Sequence, residues 1–352
     1  MEFPRKSFSF AFIYDKETNY FPFDKLETLI LSISSQENCK ITPYFIEQNE
    51  IEQKVRDIPD LDMVTSDPKC ASFIPKLLTH YKNLKWVHSM FAGVDKFLAQ
   101  KEINENNEVT LTNARGAFAG PLAEFTILSM LHFNYNVPIY MECQSQHKWS
   151  KLTNTMIDKR TLCIIGYGRN GVAIAKRAKL GFNMKIIGIV RELRDNIEGK
   201  EYTDELYGFN QLNKDVISKA DFILTTLPET SESRGLFNKK FFESMKKDAV
   251  FINIGRGSAV IEDDLIEALN NNVIRGAVLD VCQHEPLDKD DKLYSVSKDK
   301  LYITNHSGDF TTDYIDQAYE LLIQNIKSFI KTGKLETIVR KKLGYQKNII
   351  YI

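Results

Sequence analysis

Three glycines at a fixed spacing are the first residues whose types suggest chemistry. The segment GYGRNG places Gly166, Gly168 and Gly171 directly after an apolar run and before a helix-like segment. Gly166 permits a tight turn, Gly168 lets the backbone approach a pyrophosphate, and Gly171 allows close packing of strand and helix. The N-terminus of the helix then offers N–H groups to the phosphates. The spacing and its flanks predict a dinucleotide site, whereas GxGxxG alone is also compatible with a glycine turn without a ligand.

The next apolar run, KIIGIV, bears on which dinucleotide is bound. Such a strand usually ends in Asp or Glu, which binds a ribose hydroxyl. Here Val190 occupies that position, and Arg191 follows it, with Arg194 close by. A guanidinium attracts a 2′-phosphate and can bind it bidentately, whereas a carboxylate repels it. Arg191 therefore favours NADP(H) as the cofactor; if Arg191 is only a solvated loop residue, NAD(H) is the alternative.

These residues lie among alternating strand-like and helix-like segments. One alternating series runs from FSFAFIYD to EVTLTNA, and a second runs from TLCIIGYGRNG to LYITNH. Such alternation predicts parallel sheets with helical crossovers. Between the two series, AGPLAEFTILSMLHFNYNVPIYMECQSQHKW predicts a long helical stretch whose length suits a link between domains. After the second series, only one helix candidate and a polar tail remain.

The short tail decides the predicted domain organisation. Because it is too short to fold alone, the second series is expected to be inserted into the domain that the first series begins. We therefore predict an α/β protein with two Rossmann-like domains. A substrate-binding domain would comprise residues 1–116 and 308–352, and an NAD(P)-binding Rossmann domain would comprise residues 117–307.

Composition narrows the classes of partner. The 46 Lys and Arg residues nearly balance the 47 Asp and Glu residues, so nothing in the charge favours nucleic acid or an anionic membrane. The five cysteines are odd in number and scattered, which predicts free thiols in a reducing compartment. The apolar runs are too short to span a bilayer, and the first reads as a strand rather than a signal peptide. We expect a cytoplasmic protein.

Five separated segments occur in the order typical of one enzyme family. They are LKWVHSMFAGVDKF, LTNARGAFAGPLAEFTI, the stretch from LTTLPETSESRGLF to NIGRGSAV, IRGAVLDVCQHEPL and LYITNHSG. Together they resemble the D-isomer-specific 2-hydroxyacid dehydrogenases over residues 80–345, and within them the glyoxylate/hydroxypyruvate reductase branch. The resemblance implies reduction of a small 2-keto acid to the D-2-hydroxy acid by hydride transfer, and a homodimer.

The resemblance also assigns roles to individual residues. Arg256 would hold the carboxylate and carbonyl oxygen of the substrate, His306 would be the catalytic acid, and Glu285 would pair with the histidine. Imidazolium is a suitable acid near neutral pH, and a neighbouring carboxylate favours its charged form. The implied substrate-binding turn is formed by Ala92, Gly93 and Val94. Cofactor contacts are implied at Arg169, Asn170, Thr226, Leu227, Pro228, Ile254 and Asp280, the last near the nicotinamide carboxamide.

Other interpretations of these residues remain. The glycines on both sides of Arg256 suggest that backbone approaches a ligand there, but Arg256 alone is compatible with a surface charge. His306 taken singly is compatible with a structural histidine. Cys282 and its neighbours crowd together like metal ligands, but their spacing fits no zinc pattern, so no metal is predicted and Cys282 is expected to pack as a small hydrophobe. Asp309 departs from the family pattern beside His306, which bears on substrate choice.

Two rival functions accompany this prediction. One is a non-catalytic nicotinamide-sensing scaffold of the corepressor type, because those relatives keep the three catalytic residue types. The other is a formate dehydrogenase, in which the acid partner is glutamine, whereas this chain has Glu285. A turnover assay separates the first rival from a reductase.

Overall fold

The computed structural model describes residues 3–18 and 21–341 of the chain. The strands within this part, numbered in chain order, are β1 (Ser7–Tyr14), β2 (Lys40–Glu47), β3 (Met63–Ser66), β4 (Trp86–Ser89), β5 (Thr110–Asn113), β6 (Thr161–Ile165), β7 (Lys185–Val190), β8 (Glu205–Gly208), β9 (Phe222–Thr225), β10 (Val250–Asn253), β11 (Gly276–Leu279) and β12 (Leu301–Ile303).

The α-helices of the same part are α1 (Phe23–Glu37), α2 (Ile51–Lys54), α3 (Ile74–His80), α4 (Asp95–Leu98), α5 (Lys101–Asn104), α6 (Ala119–Asn134), α7 (Val137–Ser145), α8 (Arg169–Phe182), α9 (Lys214–Ile217), α10 (Lys239–Glu243), α11 (Glu262–Asn270) and α12 (Tyr314–Thr332). Short 3₁₀ turns occur at Gln48–Glu50, Pro68–Phe73, Lys200–Tyr202, Phe209–Gln211, Gly257–Ala259 and Lys292–Ser295.

The chain divides into two compact units. Unit 1 comprises Met1–Ala117 and Thr312–Ile352, and unit 2 comprises Phe118–Thr311. Each unit contains one sheet, and every strand pair within the sheets is parallel. The predicted fold class, α/β with two Rossmann-like parallel sheets, is confirmed.

The sheet of unit 1 has the strand order β2-β1-β3-β4-β5. One face carries an apolar cluster with helices that include α3 and α5. On the same sheet, an aromatic group joins Phe8 and Trp86 to Phe329 of α12, with ring centroids 5.2–5.9 Å apart. Trp86 Nε1 donates to Thr112 Oγ1 at 2.7 Å, and His88 Nδ1 is hydrogen-bonded to the same hydroxyl at 2.8 Å. The centre of this sheet therefore buries a histidine among apolar and hydroxyl side chains.

The sheet of unit 2 has the strand order β12-β11-β10-β9-β6-β7-β8. Its order reverses between β6 and β9, and in open parallel sheets ligands bind at the carboxyl ends of strands beside such a point. Phe251 of β10 packs in the core against Phe237 and Phe242. Phe133 of α6 packs so closely on β11 that a Cβ at Gly276 would lie 2.3 Å from its ring. The core thus fixes the strands whose ends carry the candidate site.

The helical stretch predicted before β6 is present, but it consists of two helices. Helix α6 ends at Asn134 and α7 begins at Val137, both inside unit 2. Asn136 between them has a left-handed backbone with φ 50°, and Pro138 lies in the first turn of α7. Asn136 Nδ2 also donates to Thr153 O at 3.0 Å. The left-handed residue and the proline break the helix here because neither continues the α-helical hydrogen-bond pattern.

No helix among residues 3–18 and 21–341 is long and apolar enough to cross a membrane.

All five cysteines are free thiols, and Cys39, Cys70, Cys163 and Cys282 are buried. Cys282 packs in the core of unit 2 as predicted, and burial raises its pKa to about 12.

Candidate active site

The strand register of unit 2 collects most of the predicted site residues at one edge of the sheet. Pairing aligns the following residues across six strands: Ile189, Ile165, Thr225, Asn253, Leu279 and Ile303. Each predicted site segment of this unit begins within three residues after one of them: Arg191, Gly166, Thr226, Ile254, Asp280 and His306. Parallel pairing, which the sequence alternation predicts, therefore gathers residues that are far apart in sequence.

The glycine turn has the backbone geometry that its spacing predicts. Gly166 adopts φ 102°, a left-handed conformation that favours glycine, and Thr226 Oγ1 donates to its carbonyl oxygen at 2.7 Å. A Cβ at Gly171 would lie 3.0 Å from Gly166 O and 3.1 Å from Ile164 Cγ2, so this glycine allows strand and helix to pack. Helix α8 begins at Arg169 directly after the turn, and its N-terminus lies at the sheet edge where a pyrophosphate would bind.

Arg191 follows β7 at the same edge and is paired with a residue that the sequence analysis did not single out. Its Nη2 lies 3.3 Å from Oε2 of Glu232, which belongs to the loop after β9. Arg194 Nη2 instead meets Glu192 Oε2 at 2.5 Å. Tyr167 Oη donates to Gly199 O at 2.8 Å, which ties the segment after Arg191 to the glycine turn.

The loops after β9 and β10 are in backbone contact with one another. Ile254 is buried, and its N–H donates to Thr225 O at 3.2 Å. A Cβ at Gly255 would lie 2.6 Å from the carbonyl oxygen of Leu227. Ser233 Oγ donates to Pro228 O at 2.7 Å and stabilises the segment predicted to cover the cofactor. Thr226, Leu227, Pro228 and Ile254 therefore form one packed layer.

Arg256 is oriented by its own neighbours. Asn253, which is buried, accepts from Gly255 N at 3.0 Å and donates through Nδ2 to Arg256 O at 3.1 Å. Arg256 Nη1 donates to Gly255 O at 2.8 Å. The glycines on both sides were expected to let backbone approach a ligand. In the structure they allow the protein's own loops to pack, since a Cβ at Gly257 would lie 1.9 Å from Cys282 O.

Glu285 and His306 form the central contact of the site. His306 Nδ1 donates to Glu285 Oε2 at 2.8 Å, while Glu285 Oε1 accepts from the backbone N–H of Cys282 at 2.9 Å. Each carboxylate oxygen thus has its own donor, which fixes the carboxylate and, through it, the imidazole ring. Because Nδ1 is engaged by the carboxylate, Nε2 is the nitrogen left to exchange a proton with a substrate.

Electrostatics favours the charged form of this pair. The hydrogen bond from His306 to Glu285 raises the pKa of the imidazole, partly opposed by burial, and the charge of Glu285 adds to the increase. Burial acts to raise the pKa of Glu285, but the hydrogen bond and charge of His306, together with the N–H of Cys282 and the charge of Arg256, lower that pKa overall. The side chains are 45% and 38% exposed for His306 and Glu285, so solvent screens part of both effects.

Asp280 holds the backbone that carries the histidine. Its Oδ1 accepts from Thr304 Oγ1 at 2.6 Å and from the N–H groups of Ser307 and Gly308 at 2.9 Å each. Its carbonyl oxygen accepts from His306 N at 2.9 Å. His306 has φ 52°, which is uncommon outside glycine and persists only where neighbours hold it. The contact of Asp280 with a nicotinamide carboxamide stays a prediction; the structure adds this positioning role.

The predicted substrate-binding turn lies in unit 1, between β4 and α4. Asn113 Nδ2 donates to Ala92 O at 2.6 Å, and Ser89 Oγ donates to Gly93 O at 3.3 Å. Val94 is buried and accepts through its carbonyl oxygen from Leu98 N. The structure therefore brings Arg256, Glu285 and His306 together within unit 2 and places Ala92, Gly93 and Val94 in the other unit.

Two further features concern the surroundings of the site. In the part of the chain that the structure describes, no three His, Cys, Asp or Glu side chains are arranged to hold a metal ion. Burial raises the pKa of Asp309, which the charges of His306 and Arg256 oppose. Asp309 thus adds a carboxyl group close to His306 and Arg256, at the position where the sequence departs from the family pattern.

Comparisons with known sequences show which family and which proteins this chain is similar to. The family model described as D-isomer specific 2-hydroxyacid dehydrogenase, NAD binding domain, matches residues 127–308. An uncharacterized protein of Corynebacterium melassecola is 30% identical over 83% of this chain and 93% of its own length. Glyoxylate/hydroxypyruvate reductase B of Salmonella paratyphi B is 36% identical over 51% of this chain and 53% of that protein, so this alignment spans about half of the relative.

A solved structure extends the similarity to most of the chain. The NADPH-dependent glyoxylate/hydroxypyruvate reductase of Sinorhizobium meliloti, solved in complex with NADP and sulfate, has a TM-score of 0.76 and 25% sequence identity. The alignment covers 96% of this chain and 100% of the reductase. Because the family model covers just over half of the sequence and a relative is 30% identical over 93% of its own length, the chain belongs to the D-isomer-specific 2-hydroxyacid dehydrogenase family of NAD(P)-dependent oxidoreductases.

Proposed function

We propose that the protein reduces a small 2-keto acid, of the size of glyoxylate or hydroxypyruvate, to the D-2-hydroxy acid with NADPH. The observation that carries the proposal is the double hydrogen bonding of Glu285, to the Cys282 N–H and to His306 Nδ1. It leaves an imidazole with a raised pKa and a defined orientation beside Arg256. An acid and a planar cation are the two groups that reduction of a 2-keto acid requires from the protein.

The residues at the sheet edge fit a nicotinamide dinucleotide. Gly166 forms a tight turn that a side chain would obstruct, and the N-terminus of α8 follows it. When bound, the nicotinamide supplies the hydride. Arg256 then holds the carboxylate and stabilises negative charge on the carbonyl oxygen, while His306 Nε2 gives that oxygen a proton. Glu285 keeps the imidazole protonated and oriented until this transfer.

NADPH is the proposed reductant because of Arg191. It lies directly after β7, next to Val190, which occupies the position where a carboxylate would bind a ribose hydroxyl and repel a 2′-phosphate. The similar reductase of Sinorhizobium meliloti is NADPH-dependent and was solved with NADP, which supports this preference. One or two charge-assisted hydrogen bonds to the phosphate imply an affinity advantage of roughly tenfold or more over NADH.

We further propose that unit 1 binds the substrate through Ala92, Gly93 and Val94, and that the protein forms a homodimer. Helix α7 supports the second proposal, because Val137 and Met141, which are four residues apart and so share one face of the helix, are exposed apolar residues. Contiguous exposed apolar surface often marks a protein interface. Light scattering coupled to size exclusion should therefore report twice the mass of the chain.

A substrate panel tests the proposed activity directly. Glyoxylate, hydroxypyruvate and pyruvate are each assayed with NADPH and with NADH, and the product is resolved on a chiral column. The proposal expects turnover with at least one of the keto acids, faster with NADPH, and a D product where the product is chiral. Tight NADPH binding without turnover of any keto acid would instead favour the non-catalytic scaffold.

A further inference from the structure

The cofactor-binding edge of unit 2 contains a carboxylate directly opposite Arg191. Strand β7 ends in Val190, so the strand itself supplies no acid at the ribose position. The acid comes from another loop, because Glu232 Oε2 lies 3.3 Å from Arg191 Nη2. The side chains of Glu232 and Arg191 are 58% and 43% exposed, respectively, so both can change partners while the loops stay folded.

The loop that carries Glu232 is held in place on either side of it. Thr230 N donates to Ser233 Oγ at 2.9 Å, and Ser233 N donates back to Thr230 Oγ1 at 3.1 Å. Ser233 is buried, and the N–H of Gly235 donates to Ser258 O at 2.9 Å. Glu232 therefore extends from a loop whose backbone is tied to the rest of unit 2, and its position opposite Arg191 follows from the fold.

Arg191 is fixed just as firmly relative to the glycine turn. Ile189 O accepts from Gly166 N at 3.1 Å and from Tyr167 N at 2.8 Å. Two residues later the chain reaches Arg191. The ion pair with Glu232 thus lies beside the turn where a bound dinucleotide would place its adenosine ribose.

We propose that Glu232 weakens the preference for NADPH by competing with its 2′-phosphate for Arg191. The inference rests on the proposed NADPH dependence. A 2′-phosphate and a carboxylate are both anions that a guanidinium binds, so the phosphate competes with Glu232 for the N–H donors of Arg191. NADH carries no such phosphate and leaves the ion pair intact, so Glu232 lowers the affinity for NADPH selectively.

Dissociation constants for both reduced nicotinamides test the idea in the full-length protein. They are measured by fluorescence titration at low ionic strength for wild type, Glu232→Gln, Arg191→Ala and the double variant. Glu232→Gln should bind NADPH about twofold to fivefold more tightly, since exposed ion pairs have effects of this order. NADH binding should stay as in wild type. The gain with NADPH should vanish in the Arg191→Ala background.

Glu229→Gln is the matched control. Glu229 lies in the same loop and is also ion-paired, but with Arg234 instead of Arg191. Its replacement should leave the affinities for NADPH and NADH unchanged. An equal gain in NADPH affinity for this control would show that general loss of negative charge, and not release of Arg191, is responsible.

The outcomes separate this inference from the proposed function. If Arg191→Ala binds NADPH as tightly as wild type, the proposed NADPH preference through Arg191 fails, and the inference fails with it. If Arg191→Ala weakens NADPH binding but Glu232→Gln does not strengthen it, only the role of Glu232 is wrong. A gain from Glu232→Gln that persists without Arg191 also overturns the inference.

Discussion

At the residue scale, Arg256, which is proposed to bind the substrate, is held in place by its own neighbours. Asn253 hydrogen-bonds the backbone on both sides of the turn, and the guanidinium donates to the carbonyl oxygen of Gly255 at 2.8 Å. A planar guanidinium held in this way can direct two donors at a carboxylate and the adjacent carbonyl oxygen. The orientation of the fork, and not the charge alone, is the property on which the proposed role depends.

Arg256→Lys should therefore be severe although it keeps the charge. A lysine ammonium is a point charge that cannot replace the planar fork, so we expect kcat/KM for the keto acid to fall by about 100-fold or more. Arg234→Lys, at an exposed arginine paired with Glu229, is the control and should retain activity. Near-native kcat/KM in Arg256→Lys would show that the arginine does not bind the substrate as proposed.

The sequence predicts the identity of such residues better than their partners. Arg256, Glu285 and His306 stand in short local motifs, so the sequence alone can single them out as candidates. The partner of Arg191 was missed, because Glu232 meets it only through the packing of loops from two different strands. The positioning role of Asp280 was missed for the same reason: its hydrogen bonds reach a loop that follows another strand.

At the scale of elements, the loops after β10 and β11, which carry Arg256 and Glu285, pack on one another. Gly257 brings its backbone against Cys282, whose N–H donates to Glu285. Glu262 of α11 is buried and accepts from the N–H of Gln283 at 2.7 Å. Glu262 and Glu285 therefore both accept hydrogen bonds from the backbone of the loop after β11. The position of this loop depends on the close approach that Gly257 permits.

Gly257→Ala tests this packing. The added Cβ would lie 1.9 Å from a backbone oxygen, so the loop must shift, and we expect a loss of about 1–3 kcal/mol in the free energy of unfolding together with reduced kcat. Gly181→Ala in α8 is the control, because nothing lies within 4 Å of its added Cβ. It should be neutral or stabilise by up to about 1 kcal/mol in chemical denaturation. Equal stability of the two variants would contradict the packing account.

The sequence predicts which segments form strands and which form helices, because the hydrophobic patterns of these elements are local. The buried strands β6 and β7 read as apolar runs, and the amphipathic pattern of α12 repeats over five turns. The break between α6 and α7 was not predicted, since Asn136 in a left-handed conformation is stabilised by Thr153, seventeen residues later in the chain. Hydrophobic periodicity carries no information about such a contact.

At the scale of the whole molecule, His88 makes the free energy of unfolding depend on pH. It is fully buried in the centre of the unit 1 sheet, and burial lowers its pKa to about 3. In the unfolded chain the imidazole titrates near pH ~6.5. Between these two pH values the imidazole is protonated in the unfolded state but neutral in the folded state. The contribution of His88 to the free energy of unfolding is therefore fully present above the unfolded pKa, and it declines as the pH falls below that value.

This linkage predicts a loss of about 2 kcal/mol from His88 between pH 7 and pH 5, at about 1.4 kcal/mol per unit below the unfolded pKa. His88→Gln should start from a lower stability at pH 7 but show a shallower decline. Tryptophan fluorescence in urea is a suitable measure, because Trp86 is buried beside His88 and Trp149 is fully exposed. A decline in the variant as steep as in wild type would contradict a neutral, buried His88.

The pH dependence of reduction tests the central claim, that His306 and Glu285 act as one proton-donating unit. The raised pKa means that His306 stays protonated through neutral pH, so kcat/KM for NADPH-dependent reduction should hold there and fall on the alkaline side. Glu285→Gln keeps the shape but removes the charge, so its alkaline limb should move to lower pH while NADPH binding is unchanged. An alkaline limb that stays in place, or that moves to higher pH, would contradict the account.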